Sequence, residues 1–430
     1  MRAIDGSAFG EMPTTGLKPI GPMPETAKTR AAEPRMPDVS RFSLTRLERV
    51  VSGCGAIEQI GAEFDARQAR RILVVTTSSL IDTASLALVE KALGSRFATT
   101  CVGAAQHVPA EPIRLIVAAL REHDCDGIVS FGGGSVIDAT KVAVASVLND
   151  RDMTREGGKL DLAAAFLAPS GARTFPHIAV PTTLSAGAFT PGGGVLDVET
   201  RTKHAVLDAR LQPCVVIHDA ALTIDTPRWL WLSTGVRALD HAVEALYSRH
   251  HHPLSDALAE GAIRLLSEHL AASAIPDDAG LQHRSACLDA AWMSLYGGFN
   301  TGLGLSHALG HQIGPAWDVP HGVTSCIALP PAMSFMAAMS PARFERIAAA
   351  LAISFDPAAP QVAAAACADH VRALVASLDV PTSLHAYGVS AEDLGMIAEA
   401  TRAELDLFDA TDRPVTTAEI VTLLKSAHQA

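Results

Sequence analysis

The chain has 430 residues, a formal net charge of −12, 48% apolar residues and 19% charged ones. That apolar share excludes a disordered chain, and the length exceeds one ordinary hydrophobic core, so two domains are expected. No basic stripe interleaved with aromatics accompanies the charge, which excludes a nucleic-acid surface, and no apolar run approaches the roughly 20 residues that span a bilayer.

Residues 1–40 are rich in Pro, Gly and Ala, lack an apolar signal core, and read as a flexible tail. Seven cysteines, Cys54, Cys101, Cys125, Cys214, Cys287, Cys326 and Cys367, stand without CxxC pairs, which points to reduced thiols and a cytoplasmic protein. From residue 41 short apolar runs recur: RRILVVTT, DGIVSFGGG, HIAVPTT and CVVIHD. They are separated by helix-length stretches such as PAEPIRLIVAALREHD. Strands so uniformly apolar imply a parallel sheet covered on both faces, hence an α/β domain over 41–220. Near residue 220 the pattern changes to helical spacing, with Thr226 as an expected cap and Pro227 at the first helical position. Residues 221–430 therefore read as an all-helical domain, with the active site in the cleft between the two.

SFGGGSVIDATK, residues 130–141, follows an expected strand and opens a helix. Its glycines let backbone approach a phosphate, and the helix N-terminus offers unpaired N–H groups and partial positive charge. Alone, such a stretch reads equally as a tight strand-to-helix turn. PTTLSAGAFTP at 181–191 follows a second apolar strand, with Thr182 and Thr183 at its end. Further on, GVRALDHAVE at 235–244 and GLSHALGHQIGPAWDVPHG at 304–322 bring four histidines, His241, His307, His311 and His321. His307 and His311, four apart, share one helix face.

GGGSVIDATK resembles the GGGSxxDxxK signature of the iron-containing (group III) alcohol dehydrogenase superfamily. The order GGGS, PTT, HAVE, HxxxH, PHG is similar to it from about residue 50 to 325. HVP at 107–109 and the short spacing within PTTLSAGAFT look most like its maleylacetate reductase branch. The resemblance implies a Rossmann-like dinucleotide-binding domain followed by an all-α domain, the dehydroquinate synthase-like architecture, and a homodimer. It implies that Gly133, Gly134 and Ser135 hold a pyrophosphate, that Asp138 lies near the nicotinamide, and that Thr182, Thr183 and Lys203 line the rest of the coenzyme. Thr77 stands where many relatives carry an Asp for the adenosine ribose, so NADH and NADPH both stay open.

The family's metal ligands are an Asp, a His four residues later and two downstream His. Matched residue by residue, the histidines are His241, His307 and His321, with His311 a further active-site His, while the Asp position holds Arg237. A guanidinium stays protonated and repels a divalent cation, so no metal is expected; if one is bound, His241, His307 and His321 are its ligands. Asp240 is placed to pair with Arg237 along the helix, which is also the plain structural role for that arginine. The functional reading makes Arg237 the cation that holds a substrate carboxylate or developing oxyanion, with His241 or His311 giving a proton as hydride arrives.

Other residues carry plainer readings. His250, His251 and His252 read as an interhelical loop, Trp229 and Trp231 as packing, His107 as a turn or cleft residue, and Phe299 and Asn300 as pocket lining. The function expected is NAD(P)H-dependent reduction of a small, carboxylate-bearing substrate, of the maleylacetate-to-3-oxoadipate type found in aromatic catabolism. The alternatives are a metal-dependent alcohol dehydrogenase, a dehydroquinate synthase-like enzyme, and a coenzyme-binding protein without turnover, the last suggested by Ala188 where relatives often carry Glu.

Overall fold

The apolar runs form strands because a β-branched, uniformly apolar segment is stable only where both of its faces are covered. In the computed structural model, which describes residues 42–104, 108–149, 174–197, 202–275, 277–298 and 300–429, the strands are as follows. They are β1 (Arg49–Ser52), β2 (Ile72–Thr76), β3 (Phe97–Val102), β4 (Gly127–Gly132), β5 (His177–Pro181), β6 (Gly192–Asp197), β7 (Thr202–Leu207) and β8 (Val215–His218). Six of them make one sheet in the order β1-β8-β5-β4-β2-β3, every pair parallel, while β6 and β7 form a separate antiparallel hairpin.

Alternation sets the two faces. Leu73, Val75 and Ile128 pack under α3 (Ala110–Glu122) and α4 (Gly134–Leu148), whereas Val74, Val129, Ile178 and Ile217 pack with Ile60 and Phe64 of α1 (Ile60–Ala66) and Leu86 of α2 (Ala84–Leu93). Each fully buried side chain of this size contributes about 1.5–3 kcal/mol. From β2 the chain crosses outward to β3, and from β4 it crosses the other way to β5. The switch in direction lies between β2 and β4, which opens a crevice at their carboxyl ends. Thr77 follows one of these strands and the GGGS turn the other.

After β8 the chain turns helical: α5 (Arg228–Tyr247), α6 (Pro253–His269), α7 (Asp278–Gly298), α8 (Leu305–Trp317), α9 (His321–Met339), α10 (Glu345–Ala350), α11 (Pro360–Ser377), α12 (Leu394–Phe408) and α13 (Thr417–Gln429). Helix α5 is buried along nearly its whole length, and its core takes in Trp231, Val236, Leu239 and Leu246. The expected cap is displaced by one residue. Pro227 occupies the cap position, and Thr226 instead donates its hydroxyl to the Thr182 carbonyl at 2.7 Å. A second tie runs from Leu184 N–H to Thr234 Oγ1 at 3.1 Å, so α5 is anchored to the loop after β5.

Contrary to the expectation of no membrane-length apolar segment, α9 is long and apolar enough to cross a bilayer. Of its most apolar 18-residue window, 72% is buried among the other helices, as in a core helix. The histidine run lies between α5 and α6: His252 caps α6 and His251 Nδ1 meets Asp256 Oδ2 at 3.0 Å.

Candidate active site

Gly133 caps α4 with no side chain of its own, so no hydroxyl or carboxylate competes for the first-turn amides. A Cβ on Gly133 would lie 3.2 Å from Thr183 Cγ2, and one on Gly134 would lie 2.5 Å from Ser185 Oγ. Only glycine lets the turn press against the PTT loop this closely, and Gly132 before it sits at φ +153°. Thr182 and Thr183 are buried there, Thr183 Oγ1 accepting from Ser185 N–H at 3.3 Å, and Ser135 is half-buried. Asp138 Oδ2 accepts from Gly194 N–H at 3.1 Å, so this carboxylate ties α4 to β6. Lys203 is the second residue of the β7 ladder, opposite Leu196, but its side chain, like His107 and Phe299, lies outside the described residues.

The same helix carries the lysine that closes the GGGSVIDATK stretch. Lys141 is wholly buried, and Nζ donates to the carbonyls of Gly187, Thr190 and Gly192 at 2.5, 2.7 and 2.8 Å. Burial pulls its ammonium down to about 8, opposed by Asp138. Asp138 and Lys141, one turn apart, together fix the loop that faces the glycine turn.

The four histidines meet although they come from three helices. His241 and His307 have ring centres 4.6 Å apart, His307 meets His311 edge-on at 6.5 Å, and His311 stacks on His321 at 6.0 Å with planes 5° apart. His307 is buried and its Nδ1–H donates to Glu244 Oε2 at 2.7 Å. Glu244 also accepts the backbone N–H groups of Gly304 and Ser306, at 2.6 and 2.8 Å. Burial raises Glu244 to about 7 against the pull of these bonds, and raises Asp240 to about 6 against nearby His307. Burial pushes His241 and His307 well below the ordinary imidazole range, with Arg237 reinforcing the shift in both.

Arg237 lies close enough to this group for its charge to act on His241 and His307. It is 5% exposed, Nη1 donates to Ser325 Oγ at 3.1 Å, and Nε has no partner. Gly310 makes the space: a Cβ there would stand 3.2 Å from Nη1. The expected direct pairing with Asp240 takes another form. Asp240 Oδ2 accepts the hydroxyls of Ser306 at 2.7 Å and Ser325 at 2.6 Å, so Ser325 bridges arginine and aspartate. Neither serine was singled out in the sequence, nor was Glu404 of α12, whose Oε1 takes His311 Nδ1–H at 2.6 Å.

One grouping of possible metal donors lies among the described residues, and the guanidinium of Arg237 acts on it. Asp240, Glu244 and His307 bring one donor atom each within 4.8 Å of one another. Their nearest atoms are already joined to each other, to two hydroxyls and to two backbone amides. The imidazole nitrogens left over, His241 Nδ1 and His307 Nε2, are buried and unpartnered but stand in the field of the guanidinium. Asp240 Oδ1 is also buried without a partner, and the guanidinium charge beside these atoms opposes a dication while the two carboxylates favour one.

A parallel α/β domain with a glycine turn at its switch point, joined to a helical domain carrying clustered histidines, defines a nucleotide-linked oxidoreductase. Residues 48–220 match the iron-containing alcohol dehydrogenase model and residues 231–428 match the C-terminal model of the Fe-containing alcohol dehydrogenase family, and the chain belongs to that family. The "Probable alcohol dehydrogenase EutG" of Salmonella typhimurium is 33% identical over 384 residues, 87% of this chain and 92% of that protein. Maleylacetate reductase of Burkholderia cepacia is 32% identical over 316 residues, covering 73% and 80%. The crystal structure of maleylacetate reductase from Agrobacterium tumefaciens has a TM-score of 0.72 at 26% identity, covering 92% of this chain and 99% of that one.

Proposed function

We propose that this oxidoreductase is a metal-independent, NAD(P)H-dependent reductase of the maleylacetate type, acting on an unsaturated oxo-dicarboxylate. The observation that carries the reading is Arg237, a buried guanidinium among the site histidines where the family pattern has a carboxylate. A guanidinium binds a carboxylate or enolate oxygen through paired N–H groups, and in a desolvated site that attraction is far stronger than in water. The glycine turn with Ser135, the Thr182–Thr183 loop and Lys203 hold the coenzyme, on a frame fixed by Asp138 and Lys141. Thr77, after β2, leaves room for a 2′-phosphate, so both NADH and NADPH are accepted as candidates.

Bound there, the reduced coenzyme would supply hydride to the substrate carbon, and Arg237 would hold the oxygen on which the displaced electron pair collects. Of the two histidines considered as proton donor, His311 suits the role. It is 31% exposed, so solvent can restore its proton, and it has a carboxylate partner, whereas His241 is held neutral. The enzyme works as a cytoplasmic homodimer in the breakdown of aromatic compounds. A second reading, metal-dependent alcohol oxidation, draws on the EutG relationship and on the Asp240–Glu244–His307 grouping. Coenzyme oxidation with maleylacetate, set against uncharged aldehydes of similar length, separates the two. Preference for the dicarboxylate supports the reductase, and activity confined to alcohols and aldehydes overturns it.

A further inference from the structure

Glu404 stands 93 residues beyond His311 in the chain, yet both of its oxygens are taken by consecutive residues of α8. Oε1 accepts from His311 Nδ1 at 2.6 Å and Oε2 from Gln312 Nε2 at 2.7 Å. The carboxylate is 20% exposed, shielded enough for its orientation to be held. A carboxylate that accepts Nδ1–H sets both the plane of an imidazole and the nitrogen that faces a ligand. Here the ring so held lies parallel to His321, edge-on to His307, and one residue after the glycine that makes room for Arg237. The glutamine gives the carboxylate a second fixed point, so it cannot swing with the histidine.

We propose that Glu404 is a positioning residue of the reaction: pinned by Gln312, it holds His311 through Nδ1–H, so that when the ring is doubly protonated Nε2–H is the proton presented to the substrate beside Arg237, and the ring left behind keeps Nδ1–H on Glu404. The inference rests on the reductase reading in giving His311 the substrate-facing role. It also makes α12 part of the active site, although none of the family's motifs lies there. A carboxylate that only fastened α12 to α8 would affect melting temperature and leave turnover per folded molecule alone.

The test uses the full chain with Glu404→Gln, Glu404→Ala and Glu404→Asp. Glu404→Gln keeps shape and loses charge, and is the form to rely on if Glu404→Ala folds poorly. The expected result is a fall in kcat of about 10- to 100-fold for Glu404→Gln, the range seen when an outer carboxylate that orients a functional histidine is removed. KM and Tm should change little, and Glu404→Asp should recover part of the rate. 15N NMR of the histidine side chains should show the neutral His311 ring protonated on Nδ1 in the wild type and mixed between its nitrogens in Glu404→Gln. Unchanged kcat with lowered Tm, or a lost rate with an unaltered His311 signature, overturns the proposal. If the wild type rejects oxo-dicarboxylates, the substrate reading falls; the NMR signature and kcat with an accepted carbonyl substrate still decide the role of Glu404.

Discussion

Replacing Arg237 by Met keeps the length of the side chain and removes its charge, which isolates what the buried cation contributes. In the fold, Arg237 makes one hydrogen bond, to Ser325, while Asp240 keeps two hydroxyl donors without it. The cost to stability is therefore one neutral–charged contact, offset by relief from burying a guanidinium, and the shift in Tm should be no more than a few degrees. The cost to catalysis is larger. A hydrogen bond to a charged group contributes about 1.5–3 kcal/mol, so kcat/KM for an oxo-dicarboxylate should fall about 10- to 150-fold. Reduction of an uncharged aldehyde should change much less. Steady-state assays with both substrates, on protein whose fold is checked by melting, give the comparison. Equal losses for both substrates, or no loss for the dicarboxylate, would refute the role assigned to this arginine.

Gly310→Ala places a methyl 3.2 Å from Arg237 Nη1 and 2.7 Å from Thr324 Oγ1, so it should cost about 1–3 kcal/mol in chemical denaturation and displace the guanidinium. Its dicarboxylate turnover should fall at least about tenfold, because a displacement of the order of 1 Å in a positioned group is that costly. Gly134→Ala should weaken NADH binding roughly tenfold in a fluorescence titration, about 1.4 kcal/mol, since the new Cβ would lie 2.5 Å from Ser185 Oγ at the glycine turn. His177 gives a pH signature remote from the histidine cluster. Burial, followed by Lys141, lowers it to about 3, while its ring pairs with Ser130 at 2.8 Å. Between about pH 6.5 and 3 the unfolded chain binds a proton there that the native protein refuses, so stability falls as pH falls through that window. Urea denaturation at pH 7 and pH 5 should show a smaller acid-induced loss in His177→Gln than in the wild type, and an identical loss would contradict this.

Where one face or both faces of a segment decide its structure, the sequence was readable. The runs ILVVT, GIVSFG, HIAVP and VVIH appear as β2, β4, β5 and β8, all fully buried. FATTCV escaped notice because β3 is an edge strand, only half-buried, and its threonines break the apolar pattern. The β6–β7 hairpin was hidden by the glycines that begin it. Helix α9 carries hydrophobicity around its circumference, which marks burial on all sides and which no single unbroken apolar run displays.

The histidines and Arg237 stood out through motif order, but their supporting residues did not. Ser306 and Ser325 reach Asp240 across 66 and 85 residues, and Glu404 reaches His311 across 93. A serine or glutamate in an amphipathic helix has no local mark of such a task, since the partner is supplied only by tertiary packing. Lys141 is the exception in kind: a lysine just past the second turn of α4, followed by a run of buried apolar residues, hints at an internal partner, and three carbonyls provide it.

In the proposed reductase the buried guanidinium of Arg237 does the work that a metal ion would otherwise do. The most direct measurement is NADH and NADPH oxidation with maleylacetate on protein whose metal content per chain has been quantified, before and after exhaustive chelation. Full turnover with far less than one metal per chain, unchanged by chelator, is the predicted result. Stoichiometric iron or zinc, with activity lost on chelation and regained on adding the metal back, would contradict it.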